Sequence, residues 1–235
     1  MTVDFHSHIL PGVDDGSRDT AQSLAMLRME REQGIAHVVA TPHFYARRDD
    51  PAHFLKCRAQ AYAALAERME ESMPRITLGA EVHFFRRMSE SDVLTRLTVG
   101  ATRFILVEMP APPWPEDFYR ELAAISTVQG LTPIIAHIDR YISPLRTHGI
   151  PNRLAQLPVL VQANAEFFLH PATASMALKL LKADRIHLLG SDCHNTSERK
   201  PNLAAALRRI EQKLGREALS GIHDYEQLVL HEKVE

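Results

Sequence analysis

The stretch 3-VDFHSHILPGVDDGSRD-19 holds the first clue to the architecture. Its opening, 3-VDFHSH-8, reads as a short strand, and a spacing of two on a strand puts His6 and His8 on one face. Six more short apolar segments follow: 37-HVVATPH-43, 76-ITLGAEV-82, 104-FILVEMP-110, 133-PIIAHI-138, 159-VLVQAN-164 and 186-IHLLGSD-192. They are mostly apolar rather than cleanly alternating, as strands are when helices cover the outer face of their sheet. Amphipathic stretches between them predict helices over about 19–33, 51–72, 115–130, 171–183 and 201–214. Weaker helical signals lie near 89–97, 151–156 and 223–231. Asp50-Pro51 looks like an N-cap followed by proline in the first turn, and Pro201 is expected to open a helix with Leu203, Leu207, Ile210 and Leu214 as its apolar stripe. Seven strand–helix units over nearly the whole chain favour a parallel α/β architecture, and both an open doubly wound sheet and a closed barrel fit. With no low-complexity linker, one domain spanning 1–235 is expected.

Composition narrows the function classes. The chain has 235 residues, 45% of them hydrophobic and 24% charged, and 27 basic against 29 acidic side chains give a net charge of -2. No broad basic field exists to recruit nucleic acid or an acidic membrane surface. Two cysteines, Cys57 and Cys193, make no secreted-type disulfide framework. No apolar run is long enough to cross a bilayer, and MTVDFHSH does not resemble a signal peptide. The expectation is a cytoplasmic enzyme without direct membrane insertion.

The reactive residues share an address. His6 and His8 lie at the end of the first strand, His43 at the second, Glu81 at the third, Glu108 at the fourth, His137 at the fifth, and Asp192 and His194 at the seventh. Parallel β/α folds build active sites at this C-terminal strand edge. Any one of these residues alone reads as a strand-end acid, a cap or a hydrogen-bonded core histidine. Together they are too many acids and imidazoles to converge without a neutralising cation, which predicts a multinuclear metal centre. Mixed nitrogen and oxygen donors suit zinc, manganese or iron. His37 and His187 begin strands and are expected at the opposite end. His83 is expected behind Glu81 rather than on a metal, and Asp4 either to orient a ligand histidine or to serve as a structural N-terminal acid, a choice strand pairing alone does not make. Alternation turns Cys193 away from the metals toward a buried apolar slot. Neither a C-x5-R loop nor a phosphate-binding glycine loop is present.

The segments HSHILPGVDDGSRD, ATPHFY, GAEVHF, AHIDRY, QANAE and GSDCHN, in that order, resemble the polymerase-and-histidinol-phosphatase (PHP) superfamily. Within it the chain is similar to the bacterial protein-tyrosine phosphatases of capsular and exopolysaccharide gene clusters. The resemblance covers about four fifths of the sequence. It implies a distorted seven-stranded β/α barrel, related to the TIM barrel, with three divalent metals at the C-terminal face. Carried over, it assigns His6, His8, Glu81 and Asp192 to one metal. Glu81, shared, with Glu108 and His137 takes the second, and Asp15, His43 and His194 take the third. Asp15 rather than Asp14 follows from the family's spacing after His8. The resemblance also implies Mn2+ as the favoured ion, with Zn2+ or Fe2+ as alternatives, and Arg140 and Arg199 as phosphate-positioning groups.

The expected activity is metal-dependent hydrolysis of phosphotyrosine, on the tail of a polysaccharide-export autokinase. A small-molecule phosphomonoesterase such as a histidinol-phosphatase is the alternative enzyme. A noncatalytic metal-binding scaffold for a kinase partner is the alternative of another class. Asp139 and His83 are the candidates for a general acid.

Overall fold

The strand Phe104–Glu108 shows how the layers are laid out. Phe104 and Leu106 belong to an inner apolar cluster with Val3, Phe5, Val39, Ile134 and Leu188, whereas Ile105 and Val107 face the helices. Both faces are therefore covered, and the next residue of inward parity is Glu108.

The computed structural model describes residues 2–231. Nine strands among them form seven passes: β1 (Val3–Ser7), β2 (His37–Ala40), β3 (His43–Phe44), β4 (Arg75–Leu78), β5 (Glu81–His83), β6 (Phe104–Glu108), β7 (Thr132–Ile135), β8 (Leu160–Asn164) and β9 (Leu188–Gly190). The second and third passes are each broken in two, at Thr41-Pro42 and at Gly79-Ala80. Every pairing between the strands is parallel, in the orders β1-β2-β4 and β3-β5-β6-β7-β8-β9. The ends of the first and last passes meet, where the Asp192 N–H donates to the His6 carbonyl at 2.7 Å and the His8 N–H to the Cys193 carbonyl at 2.9 Å. Of the two expected architectures, the sheet takes the curled one, a distorted barrel.

The outer layer carries α1 (Thr20–Glu32), α2 (Pro51–Ala66), α3 (Glu116–Gln129), α4 (Ile150–Leu154), α5 (Ala165–Leu169), α6 (Ala174–Lys182) and α7 (Leu203–Leu214). Asp50 caps α2 as expected, its side chain accepting the His53 N–H at 2.7 Å. That helix stops at Ala66, not near 72, and the chain turns through 67–74 toward Pro74. α7 begins at Leu203, two residues after the proline expected to open it. The last helix, α8 (Arg216–His231), starts earlier than expected and adds Val229 to the inner cluster. Its Glu226 accepts the Val3 N–H at 3.3 Å, so α8 closes the N-terminal end of the barrel. α5 had no signal in the periodicity, being a single short turn after β8.

Two departures from regular geometry aim the strand ends inward. The register of β1 against β2 shifts between Asp4 and Ser7, so the inward set passes from Val3 and Phe5 to His6. Gly190 permits the close approach of β9, since a Cβ there would lie 2.5 Å from the His6 Cβ. His137 and Asp192 take positive φ of 32° and 54°, uncommon for residues with side chains and concentrated at functional sites.

Candidate metal centre

Each of the nine sequence-expected ligands reaches the C-terminal mouth of the barrel. The His6 and His8 Nε2 atoms lie 3.1 Å apart, and the Glu81 Oε2 stands 3.2 and 3.3 Å from them. Asp192 brings Oδ1 to 3.6 Å from His6 and 3.4 Å from His8. The other Glu81 oxygen, Oε1, lies 2.6 Å from the His137 Nε2, which is 3.7 Å from the Glu108 Oε1. Asp15 Oδ1 stands 3.5 Å from the His43 Nε2 and 3.7 Å from the His194 Nε2. His8 falls within reach of this last set too, and His43 also turns its Nδ1 to within 2.9 Å of Glu81. His6, His8, Glu81, His137, Asp192 and His194 are buried, while Asp15 is 69% exposed and marks the open side.

The tautomers distinguish this from an ordinary polar cluster. The His8 Nδ1 lies 2.6 Å from the Asp14 carboxylate, the His6 Nδ1 3.2 Å from the Gln162 amide oxygen, and the His194 Nδ1 3.0 Å from the Asp192 carbonyl. All three partners are acceptors, so each Nδ1 carries the proton and each Nε2 presents a lone pair to the centre. Glu81 Oε2 and His194 Nε2 are buried without a hydrogen-bond partner. Lone pairs and carboxylate oxygens thus crowd one another at 3.1–3.6 Å, near the roughly 3.4 Å edge of a tetrahedron of ligands at about 2.1 Å from a metal. The residues fit divalent cations, and the cluster is a metal-dependent active site.

The electrostatics agree. Burial works against protonated His6 and His8, yet the surrounding carboxylates, Glu81 and Asp192 for His6 and chiefly Asp14 for His8, raise both pKa values. Burial works against ionised Glu81 and Asp192, yet the imidazoles hold both carboxyls well below the usual range. His194, desolvated and beside His8, is lowered to about 4 and stays neutral. Such a field draws in positive charge, as protons or as metal.

Both expected arginines reach the site. The Arg140 Nη2 donates to the Asp192 Oδ2 at 2.5 Å and its Nη1 lies 3.5 Å from Glu108, while the Arg199 Nη2 lies 2.8 Å from the Asp192 Oδ1. Each is 40% exposed, so each is open to an anion from solvent.

Further side chains support the ligands, and several of them differ from the expectation. Asp14 holds His8 and accepts the His43 N–H at 3.0 Å, a task no motif in the sequence marks. Gln162 accepts from His6 and from the His137 N–H at 2.6 Å, and passes a hydrogen bond through Asn164 to Asp192. The signal was present in QANAE, two polar residues of one parity at the end of β8. Asp4 orients no imidazole. Its Oδ1 accepts the main-chain N–H groups of His6 and Ser191 at 3.1 and 2.9 Å, tying β1 to the end of β9. Cys193 does turn from the centre, but its slot is not apolar, because the buried carboxyls of Asp4 and Glu30 meet it there. Burial and the neighbouring Asp4 push the Glu30 carboxyl well above its usual range. Asp139 serves as an anchor, its carboxylate accepting the Asn164 N–H at 2.9 Å. His83 stands behind Glu108, its Nδ1 3.1 Å from Oε2. His37 and His187 lie at the opposite ends of their strands, bonded to Thr77 and the Val161 N–H.

Known proteins share this arrangement of sequence and fold. Residues 2–227 match the family described as capsular polysaccharide synthesis, CpsB/CapC. The tyrosine-protein phosphatase YwqE of Bacillus subtilis is 30% identical over 227 residues, covering 92% of this chain and 86% of that protein. The tyrosine-protein phosphatase CpsB of Streptococcus agalactiae serotype III is 28% identical over 228 residues, covering 92% of each. A structure from the work on YwqE of Bacillus subtilis and CpsB of Streptococcus pneumoniae, described as unique metal-dependent tyrosine phosphatases, superposes with a TM-score of 0.83. It is 25% identical and covers 100% of this chain and 96% of that one.

Proposed function

The chain belongs to the CpsB/CapC family, and on that premise we propose that it is a metal-dependent protein-tyrosine phosphatase acting in the cytoplasm on the tail of an autokinase that controls capsular or exopolysaccharide synthesis. The observation that carries the reading is Glu81, whose Oε2 faces His6, His8 and His43 while its Oε1 faces His137, with two guanidiniums waiting beside them.

In this reading His6, His8, Glu81 and Asp192 would hold one ion, Glu81, Glu108 and His137 a second, and Asp15, His43 and His194 a third. Manganese is favoured for the nitrogen and oxygen donors, with zinc or iron as alternatives. Divalent ions supply Lewis acidity toward phosphate oxygens and a water acidic enough to attack near neutral pH. Three such ions against four carboxylates leave two positive charges in excess, which suits a phosphate monoester dianion. Arg140 and Arg199 exchange their contacts with Asp192 for phosphate oxygens, where the guanidinium fork gives paired hydrogen bonds. Asp14 and Gln162 keep the imidazole lone pairs aimed while the substrate turns over. A tyrosine leaving group, with a pKa of about 10, needs less protonation than a serine alkoxide. That suits a site in which Asp139 is tied to the backbone and His83 to Glu108.

Phosphate release is measured on a phosphotyrosine peptide, a phosphoserine peptide and histidinol phosphate at matched Mn2+. Preference for the phosphotyrosine peptide is expected. A preference for histidinol phosphate would overturn the substrate assignment, and no hydrolysis of any ester at full metal occupancy would favour a scaffold.

A further inference from the structure

Beside the metal mouth lies a cleft of about 430 Å³ between the loop after β3 and the loop after β5. Phe84 and Phe118 pack against each other there, ring centroids 4.5 Å apart, and line it with apolar surface. Tyr45 and His83 form its inner wall, their rings 5.4 Å apart. The Tyr45 ring lies 5.5 Å from that of His43, and His83 contacts Glu108, so the inner wall of the cleft adjoins the metal centre. The Tyr45 loop is held in shape, since its N–H donates to the Asp49 side chain at 2.7 Å and its carbonyl accepts from the Arg48 and Asp49 N–H groups.

Arginines on the rim are of two kinds. Arg48 lies 4.4 Å above the Tyr45 ring and bonds to Asp49. Arg47 and Arg86 also border the cleft, are exposed, and have no ion pair or side-chain hydrogen bond among the described residues. Both also line a neighbouring hollow of about 410 Å³, so they stand on the ridge between the two. Two guanidiniums left without a carboxylate, beside an aromatic cleft that adjoins the metal centre, can take anionic ligands of their own.

We propose that this cleft is a peptide-docking subsite that takes the residues flanking the phosphotyrosine, with Arg47 and Arg86 selecting substrates whose flanks carry carboxylates. The assignment rests on the phosphotyrosine reading above. The tyrosine ring lies toward Tyr45 and His83, and the neighbouring acidic side chains reach the ridge. The metal centre would supply the hydrolytic chemistry, while the ridge sets which tyrosine is presented.

The test uses the metal-loaded enzyme and peptides carrying a non-hydrolysable phosphonate analogue of phosphotyrosine, flanked by acidic, neutral or basic residues. Binding is read by fluorescence anisotropy. The acidic peptide is expected to bind about tenfold more tightly than the neutral one at low salt, with the gap narrowing as salt rises. In Arg47→Ala/Arg86→Ala the gap closes, and in Arg47→Glu/Arg86→Glu the basic peptide becomes the better ligand. Equal binding of acidic and neutral peptides by the unaltered enzyme, or a gap that survives both double variants, would overturn the proposal. Hydrolysis of phenyl phosphate by the unaltered enzyme is measured alongside. Its absence would overturn the phosphatase reading, and the subsite with it. Its presence without any flank preference would overturn the subsite alone.

Discussion

The Asp14 carboxylate lies 2.6 Å from the Nδ1 of His8, and the same oxygen accepts the main-chain N–H of His43. One side chain thereby fixes a tautomer on the first pass and a backbone position on the second. The charged hydrogen bond to His8 outweighs burial and pulls the Asp14 carboxyl well below its ordinary value. Asp14→Asn should keep the fold and weaken metal affinity by about 10–100-fold, because an amide can present the wrong end to Nδ1. Calorimetric titration with Mn2+ reads this directly, and unchanged affinity would remove Asp14 from the site.

Asp192 receives Arg140, Arg199 and Asn164 while facing His6 and His8. Asp192→Asn keeps the shape but removes the charge, and turnover should fall by more than about a hundredfold with reduced metal content. Metal analysis and kinetics on one folded sample check it; full activity would refute the assigned role.

Arg199 faces solvent on one side and Asp192 on the other. Arg199→Ala should retain most of the metal and lower kcat/KM by about 10–100-fold through lost phosphate hydrogen bonds. Arg199→Lys should recover only part, since an ammonium lacks the planar fork. Equal activity of the lysine variant and the parent would argue against paired recognition.

Metal removal should cost stability as well as activity, because Glu81 and Asp192 are buried carboxylates facing lone pairs. At about a thousandfold excess over Kd, a single bound ion is worth about 4 kcal/mol, or about 10 °C in Tm for a chain of this size. Scanning calorimetry with chelator and then with restored Mn2+ measures the shift. An unchanged midpoint would contradict binding at this buried cluster.

At the other end of the barrel, burial raises the Glu226 carboxyl to about 7 from an ordinary 4.5, against the opposing pull of His223. The folded protein holds this proton more tightly than the unfolded chain. The stability it contributes is complete below pH 4.5 and is lost as pH rises through 7. Glu226→Gln should flatten that part of the stability profile. Denaturant midpoints at pH 4.5, 6 and 8 test this, and parallel profiles for the two proteins would sink it.

Much of the centre was legible because its evidence is local. Glu108 follows an apolar run whose parity already points it inward, and the same holds for Glu81 after its strand. Where local geometry breaks, alternation alone does not decide. Alternation puts Asp4 on the same face as His6, but the register shift in β1 separates them and leaves Asp4 against Glu30 of α1. Alternation within its own strand predicts an apolar slot for Cys193, but Glu30 arrives there from a helix far away in sequence.

The sequence by itself determined where chemistry could stand: short apolar passes with an acid or imidazole at nearly every C-terminal end, because strand period and strand termination are local properties. Only the tertiary structure decided which atom of each residue faces the centre. His6 and His8 expose Nε2 because Gln162 and Asp14 occupy Nδ1, and His137 and Asp192 are turned by positive φ. A tautomer and a strained dihedral depend on partners brought from other strands, so they exist only once the barrel has closed.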